Sequence, residues 1–270
     1  MRPFRGLVAL ALYGASTLCL ADTLVLEASA DNSLFEDSLD FSSGAGDFLF
    51  IGPIASGSSR RALLRFDLAA LPANASLSAA ELRLAVNRAA VGSSVTDRAR
   101  LHRLTASWGE GSADGGTGGA GTQASAEDAT WLRRFHGTPP GAPGPQWTTP
   151  GGDFLAAASA EAPLGVSGSA LLFGGNGLLA DVAAWQAGQA PNHGWVLLGP
   201  EGPTESQKAR RLPARTAATV ADRPRLTLTY TLPPPVTDPP VTRVPLPGGA
   251  LLGLAAGLTL LAHRQGRGRA

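Results

Sequence analysis

The chain has 270 residues, with 22 Lys and Arg against 21 Asp and Glu, a formal net charge of +1 and a hydrophobic share of 44%. That length is ample for one domain with a sizeable core. Arg2, Arg5, Arg264, Arg267 and Arg269 lie in terminal segments without acids, so the body between them is net acidic. It has no basic footprint for nucleic acid, and its charge suits a soluble surface.

Arg2 and Arg5 precede an apolar run from Gly6 to Leu20, and Leu20-Ala21-Asp22 offers a small-residue cut site. This order predicts a secretory signal peptide over residues 1–21, removed by signal peptidase after Ala21. Cys19, the one cysteine, lies inside that segment and follows Leu18, which is too large for a lipidation site. The mature chain is then free of cysteine and is held by its core rather than by disulfides.

Leu24-Val25-Leu26 reads as a first strand, followed by an acidic loop, Asp31-Asn-Ser-Leu-Phe-Glu-Asp37, with Asp40 beyond. Asp31, Asn32, Glu36 and Asp37 are hard oxygen donors of the kind calcium takes, although their spacing is not that of an EF-hand. The other reading is a solvated turn leading into the next strand. Phe48-Leu49-Phe50-Ile51 and Leu63-Leu64-Arg65-Phe66-Asp67 read as strands, separated from their neighbours by Gly44-Ala-Gly46 and Leu71-Pro-Ala-Asn74. Asn74-Ala-Ser76 matches a glycosylation sequon but sits in turn chemistry. Ala80, Leu82, Leu84 and Val86 alternate with polar residues, a half-buried strand of period two.

Gly109 to Ala129 and Gly137 to Pro145 are rich in small residues, Gly and Pro, and are predicted to be loops; long loops in a small domain are often functional. The first contains Gly116-Thr-Gly118-Gly-Ala-Gly121, a literal GxGxxG, but without the strand before and helix after that dinucleotide binding requires. Trp131, Phe135 and Trp147 flank the second loop, and exposed aromatic rings are platforms on which sugars stack. Trp108, Trp185 and Trp195 read as core.

Leu178, Leu179, Val182 and Trp185 recur at helical spacing and Gly188 would stop the turn, so one helix is expected from Leu178 to Ala187. Trp195-Val-Leu-Leu198 and the alternating Leu226, Leu228 and Tyr230 read as later strands, with Pro200-Glu-Gly-Pro203 as a turn between them. Many short strands with frequent turns predict an all-β fold, a jelly-roll β-sandwich of antiparallel strands with one short helix, over residues 22–232. No GxxxxGK[ST], GxSxG or HExxH occurs, and His102, His136, His193 and His263 are scattered. His102 reads as structural. No enzymatic constellation is legible, and the chain is not expected to be an enzyme.

Pro233 to Arg243 is a stiff Pro-rich linker. It leads to a three-part end over residues 244–270: Val244, Pro245, Leu246 and Pro247 with two glycines, an uncharged run from Ala250 to Ala262, and three arginines. The run is shorter than the roughly 20 residues that span a bilayer comfortably, and the arginines mark the cytoplasmic side. This order resembles the bacterial PEP-CTERM class of sorting signals in its VPLP variant. The resemblance implies an exosortase-type sorting enzyme that cuts near the Pro-containing motif. A plain C-terminal membrane anchor is the other reading.

Within the body, Arg60-Arg-Ala-Leu-Leu-Arg-Phe-Asp67, Leu77-Ser-Ala-Ala-Glu-Leu-Arg-Leu84, His102-Arg-Leu-Thr105, Trp108-Gly-Glu110 and Asp128-Ala-Thr-Trp131 occur in order. Trp147-Thr-Thr-Pro-Gly-Gly-Asp-Phe154, Asp181-Val-Ala-Ala-Trp185, Asn192-His-Gly-Trp195 and Arg223-Pro-Arg-Leu-Thr-Leu-Thr-Tyr230 continue the series. The series resembles the DNRLRE-type domain, a jelly-roll sandwich grouped with carbohydrate-binding modules, some of which bind alginate. Where that pattern runs Phe-Asp-Ser-Arg-Glu before the last strand, this chain has Leu212-Pro-Ala-Arg-Thr216, keeping Arg215 without the flanking acids. The resemblance implies an exported cell-surface protein that binds extracellular polysaccharide, uronate-rich polymers included. A structural or adhesive protein without a sugar site, and a polysaccharide-degrading enzyme, are the alternatives.

Overall fold

The period-two segments form strands. The computed structural model describes residues 20–137 and 144–235. The expected signal peptide up to Cys19, the tip of the Pro-Gly loop, most of the expected linker, the motif Val244, Pro245, Leu246 and Pro247, and the tail after it lie outside the described residues. The chain divides into a unit ending at Pro234 and a second over Pro235–Ala270; only the first falls largely within the described residues. Among these, no helix is long and apolar enough to cross a membrane.

The first half of the fold comprises β1 (Asp22–Phe35), β2 (Phe41–Ser42), β3 (Phe48–Ile51), β4 (Arg60–Phe66), β5 (Ser76–Ala85), β6 (Arg88–Ala89) and β7 (Arg98–Arg103). The second half comprises β8 (Thr122–Gln123), β9 (Ala160–Pro163), β10 (Ala170–Phe173), α1 (Asn176–Gln186), β11 (Trp195–Leu198), β12 (Arg210–Pro213) and β13 (Arg225–Thr231). Every pairing of these strands is antiparallel. The fold is an all-β sandwich with one α-helix.

The long strand β1 ties the two layers together. Its first half pairs with β13, Asp22 opposite Tyr230. A bulge between Ala28 and Ala30 then turns it onto β4, where Asn32 lies opposite Leu63. One layer therefore runs β10-β5-β13-β1 and the other β1-β4-β11-β7-β9. Beside the first, β12 pairs with β3 and β6, so β12 and β13 lie in one line along β5 and β6, and β3 takes the place that β1 vacates. Bulges of this kind add local twist and re-aim a strand.

Alternation decides what each layer buries. Ala62, Leu64 and Phe66 of β4, Leu82 and Leu84 of β5, Trp195 and Leu197 of β11 and Leu226 and Leu228 of β13 point into one core. Leu178, Val182 and Trp185 of α1 join it, and the Trp185 and Trp195 rings lie 4.5 Å apart. The helix ends as its sequence predicts. Gly188, at φ +67, lets its N–H donate to Trp185 O while Gln189 N–H donates to Ala184 O, the paired bonds of a Schellman motif.

The outer face of the second layer is apolar as well. Leu63 of β4 and Val196 and Leu198 of β11 meet Leu104, Trp108, Ala129, Trp131 and Trp147 in a second core. The described residues of 105–137 and 144–159, which include the expected loop Gly109 to Ala129, form a packed cover over this face. Gly109 shows why it is glycine-rich: its N–H donates to Arg134 O and its carbonyl accepts from Ala129 N–H. A Cβ at Gly109 would collide with the Glu127 carbonyl oxygen. Within the GxGxxG run, Gly119 and Gly121 sit at positive φ against the Phe50 and Phe35 rings, while a Cβ at Gly116 or Gly118 would meet open space.

Candidate functional site

The expected sugar platform is built into the second core. Trp131 is 6% exposed and Trp147 4%. The Arg61 guanidinium covers the Trp131 ring at 4.8 Å from its centre. Trp147 Nε1 donates to Thr130 O at 2.9 Å. Both rings are used up in joining cover to sheet, so neither offers an open face for stacking. Phe135 is half-buried, with the Arg134 guanidinium 6.0 Å from its ring centre. Trp108, Trp185 and Trp195 are core, as their spacing predicts.

The expected acidic loop is no loop at its start. Asp31 and Asn32 belong to β1 and are fully buried. Successive strand residues face opposite sides, so their side chains diverge. Asn32 Nδ2 donates to Ser42 Oγ and Glu110 O, while its Oδ1 accepts from the N–H groups of Ser33 and Ser43. Glu36 Oε2 accepts from Ser59 N–H, and Asp37 pairs with Arg60 at 2.9 Å. Asp31 to Phe35 are buried strand, the solvated turn is confined to residues 36–40, and the four oxygen donors do not converge. Among the described residues no group of three or more His, Cys, Asp and Glu is placed to hold a metal ion.

Asp31 is nonetheless unusual. Its Oδ2 accepts from Arg215 N–H at 2.7 Å, and its Oδ1 is buried without a partner. Burial pushes its carboxyl up to about 7; the Arg215 N–H works against this, the Glu110 charge with it and the Arg215 charge against it. Arg215 itself grips Glu110 through Nε and, at 2.7 Å, through Nη2. Glu110 Oε1 also accepts from Asp31 N–H at 2.9 Å. The retained Arg215 thus finds its acid partner in the cover rather than beside it in sequence.

The open surface is elsewhere. A groove of about 900 Å³ is lined by Arg61, Arg134, Gln146, Thr148, Phe154 and His193, with Thr149 and Asp153 along it. Arg61 is fixed by a bidentate bond to Glu201, at 2.9 and 2.7 Å, and by Gly151 O. Its guanidinium lies 5.5 Å from the Phe154 ring centre. Phe154 is only half-buried, its ring tilted against His102 with the centres 5.1 Å apart. His102 is itself structural, bonded to Leu155 O at 2.9 Å. Asp153 accepts the N–H groups of Thr148 and Thr149, both at 2.9 Å, and so shapes the groove wall.

The groove is electropositive on its His193 side. Arg134 donates to backbone oxygens of Ser107 and Gln146, and Arg65 lies over the Trp108 ring. Neither has a carboxylate partner among the described residues. His193 is held below the usual imidazole range by burial and then by the charges of Arg65 and Arg134. The arrangement offers the unpaired Arg134 guanidinium, hydroxyl and amide donors and the exposed part of the Phe154 ring, which Arg61 and His102 leave half-buried, to an anionic ligand. Arg61, His193 and Phe154 each stood in a quoted segment but carried no binding role there, and sequence reading missed Arg134, which has no periodic or motif signal. No protein-family model matches the chain, and no curated protein matches it.

Proposed function

We propose that this chain is an exported, non-enzymatic β-sandwich that binds an acidic polysaccharide at the cell surface, through the groove around Arg134 and Phe154. The observation that carries the reading is the groove itself. It is open, is lined by Arg134, a cation without a carboxylate partner among the described residues, and carries the half-buried Phe154 ring. Sugar rings carry apolar faces that stack on such a ring, and guanidinium groups match uronate carboxylates. The DNRLRE-type resemblance, the signal peptide and the PEP-CTERM-like end support the same reading. Export, sorting by an exosortase-type enzyme and membrane attachment belong to the proposal. The sugar contacts shift from Trp131 and Trp147 to Phe154, and calcium has no part in them.

The test is the affinity of the full chain for a polyuronate and for a neutral glucan, with calcium and with chelator. Binding to the polyuronate, unchanged by chelator, is expected. Arg134→Gln and Phe154→Ala should each weaken it roughly tenfold or more. Trp131→Ala should instead destabilise the fold by about 3–5 kcal/mol, as removal of a buried Trp does. Full binding by both groove variants would remove the site. No binding by a folded protein would favour a structural or adhesive surface role.

A further inference from the structure

A second pocket, of about 430 Å³, opens at the β6–β12 end of the molecule. Three arginines line it, Arg88, Arg210 and Arg211, and no acid does. Arg210 is neutralised by Asp97 at 3.0 Å. The other two are not. Arg88 and Arg211 are direct partners across the antiparallel β6–β12 pair, and like charges placed opposite each other destabilise a sheet.

Arg211 is held in this position. Its Nε donates to Asn87 Oδ1 and its Nη1 to Thr117 O, both at 3.0 Å, and its guanidinium lies 4.1 Å from the Phe48 ring centre. That leaves Nη2 unengaged. The Arg88 side chain is exposed and has no hydrogen bond or ion pair among the described residues. Burial, and then the Arg88 charge, lower the pKa of Arg211; no carboxylate acts on it. Phe50, the cross-strand neighbour of Arg211, together with Ile54 and the highly exposed Val91 gives the pocket an apolar wall.

We propose that Arg88 and Arg211 form a binding site for a dianionic phosphate group, with the apolar wall receiving the body of a phosphorylated ligand. Two unneutralised guanidinium charges face one pocket, and a phosphate monoester carries close to two negative charges at neutral pH. Arg forks bind phosphate oxygens in bidentate fashion. A single carboxylate would leave one of the charges unmatched. The site is separate from the Arg134 groove and shares no lining residue with it.

The experiment is calorimetric titration of the full chain with inorganic phosphate, a hexose 6-phosphate and glucuronate. The hexose phosphate should bind tightest, because it also uses the apolar wall, and glucuronate weakest. Equal binding of inorganic phosphate would keep the site and identify free phosphate as its ligand. Glucuronate binding to Arg134→Gln, in which the uronate groove is disabled, as tightly as hexose phosphate would overturn the dianion assignment. Arg88→Gln, at an exposed position, and Arg211→Gln should each weaken the phosphate ligands roughly tenfold or more, while Arg134→Gln should leave them unchanged. Phosphate should raise the melting temperature of the parent and not of Arg88→Gln. Full affinity in a folded Arg88→Gln protein, or no binding by the parent, would overturn the proposal.

Discussion

Asp31 is the residue at which burial and charge conflict most sharply. In the unfolded chain its carboxyl titrates near 3.8; in the folded protein it is pushed up to about 7, chiefly by burial. Between those values the folded state holds a proton that the unfolded state has released. Stability therefore falls as pH rises from about 4 to about 7 and stays lowered above that. Asp31→Asn keeps an acceptor for Arg215 N–H and removes the charge. At pH 8 the variant should be more stable than the parent by about 1–3 kcal/mol, and at pH 4 the two should agree. Urea denaturation at both pH values measures this. A variant less stable at pH 8 would mean that Arg215 and its N–H outweigh burial and keep the carboxylate ionised.

At the scale of elements, the cover over β4 and β11 is the part of the fold that the sequence concealed. Its Trp131 and Trp147 were visible, but their burial was not, because no period relates one irregular segment to another. The contacts run through backbone: Gly109 to Arg134 and Ala129, and Glu127 N–H to His136 O. Glycine content signals close approach as readily as openness, and here it meant approach. Gly109→Ala forces the Glu127 carbonyl away and should cost roughly 1–3 kcal/mol, as overpacking does. Amide exchange should accelerate at Ala129 and at position 109 itself while the β4–β11 amides keep their protection. Equal acceleration everywhere would mean that cover and sandwich open as one unit.

At the scale of the whole molecule, what could be read was whatever alternates. β5 and β13 have one wet and one dry face, so their period was legible, and α1 was legible from its spacing and from Gly188. The second half of β1 was not, because Asp31 and Asn32 interrupt the apolar signal while lying in the interior. The groove was hidden for a related reason. Its residues come from β4, the cover and the turn before β11, and only the folded sandwich brings them together.

The same long strand bears on how the chain is processed. β1 begins at Asp22, paired with Tyr230 near the end of β13, so both ends of the sandwich lie side by side. Leu24 and Leu26, opposite Leu228 and Leu226, pack on the main core. A cut after Ala21 leaves this pairing whole; a cut beyond Leu24 would remove a partner of Leu228 and expose an edge of β13, a template for association with other chains. On the proposed export, the processed chain should therefore begin at Asp22, and its intact mass or N-terminal sequencing checks this. An uncut N-terminus would refute the signal-peptide reading and with it the proposed export. A start beyond Leu24 would show instead that β13 does not need the first turns of β1 to hold its place in the layer.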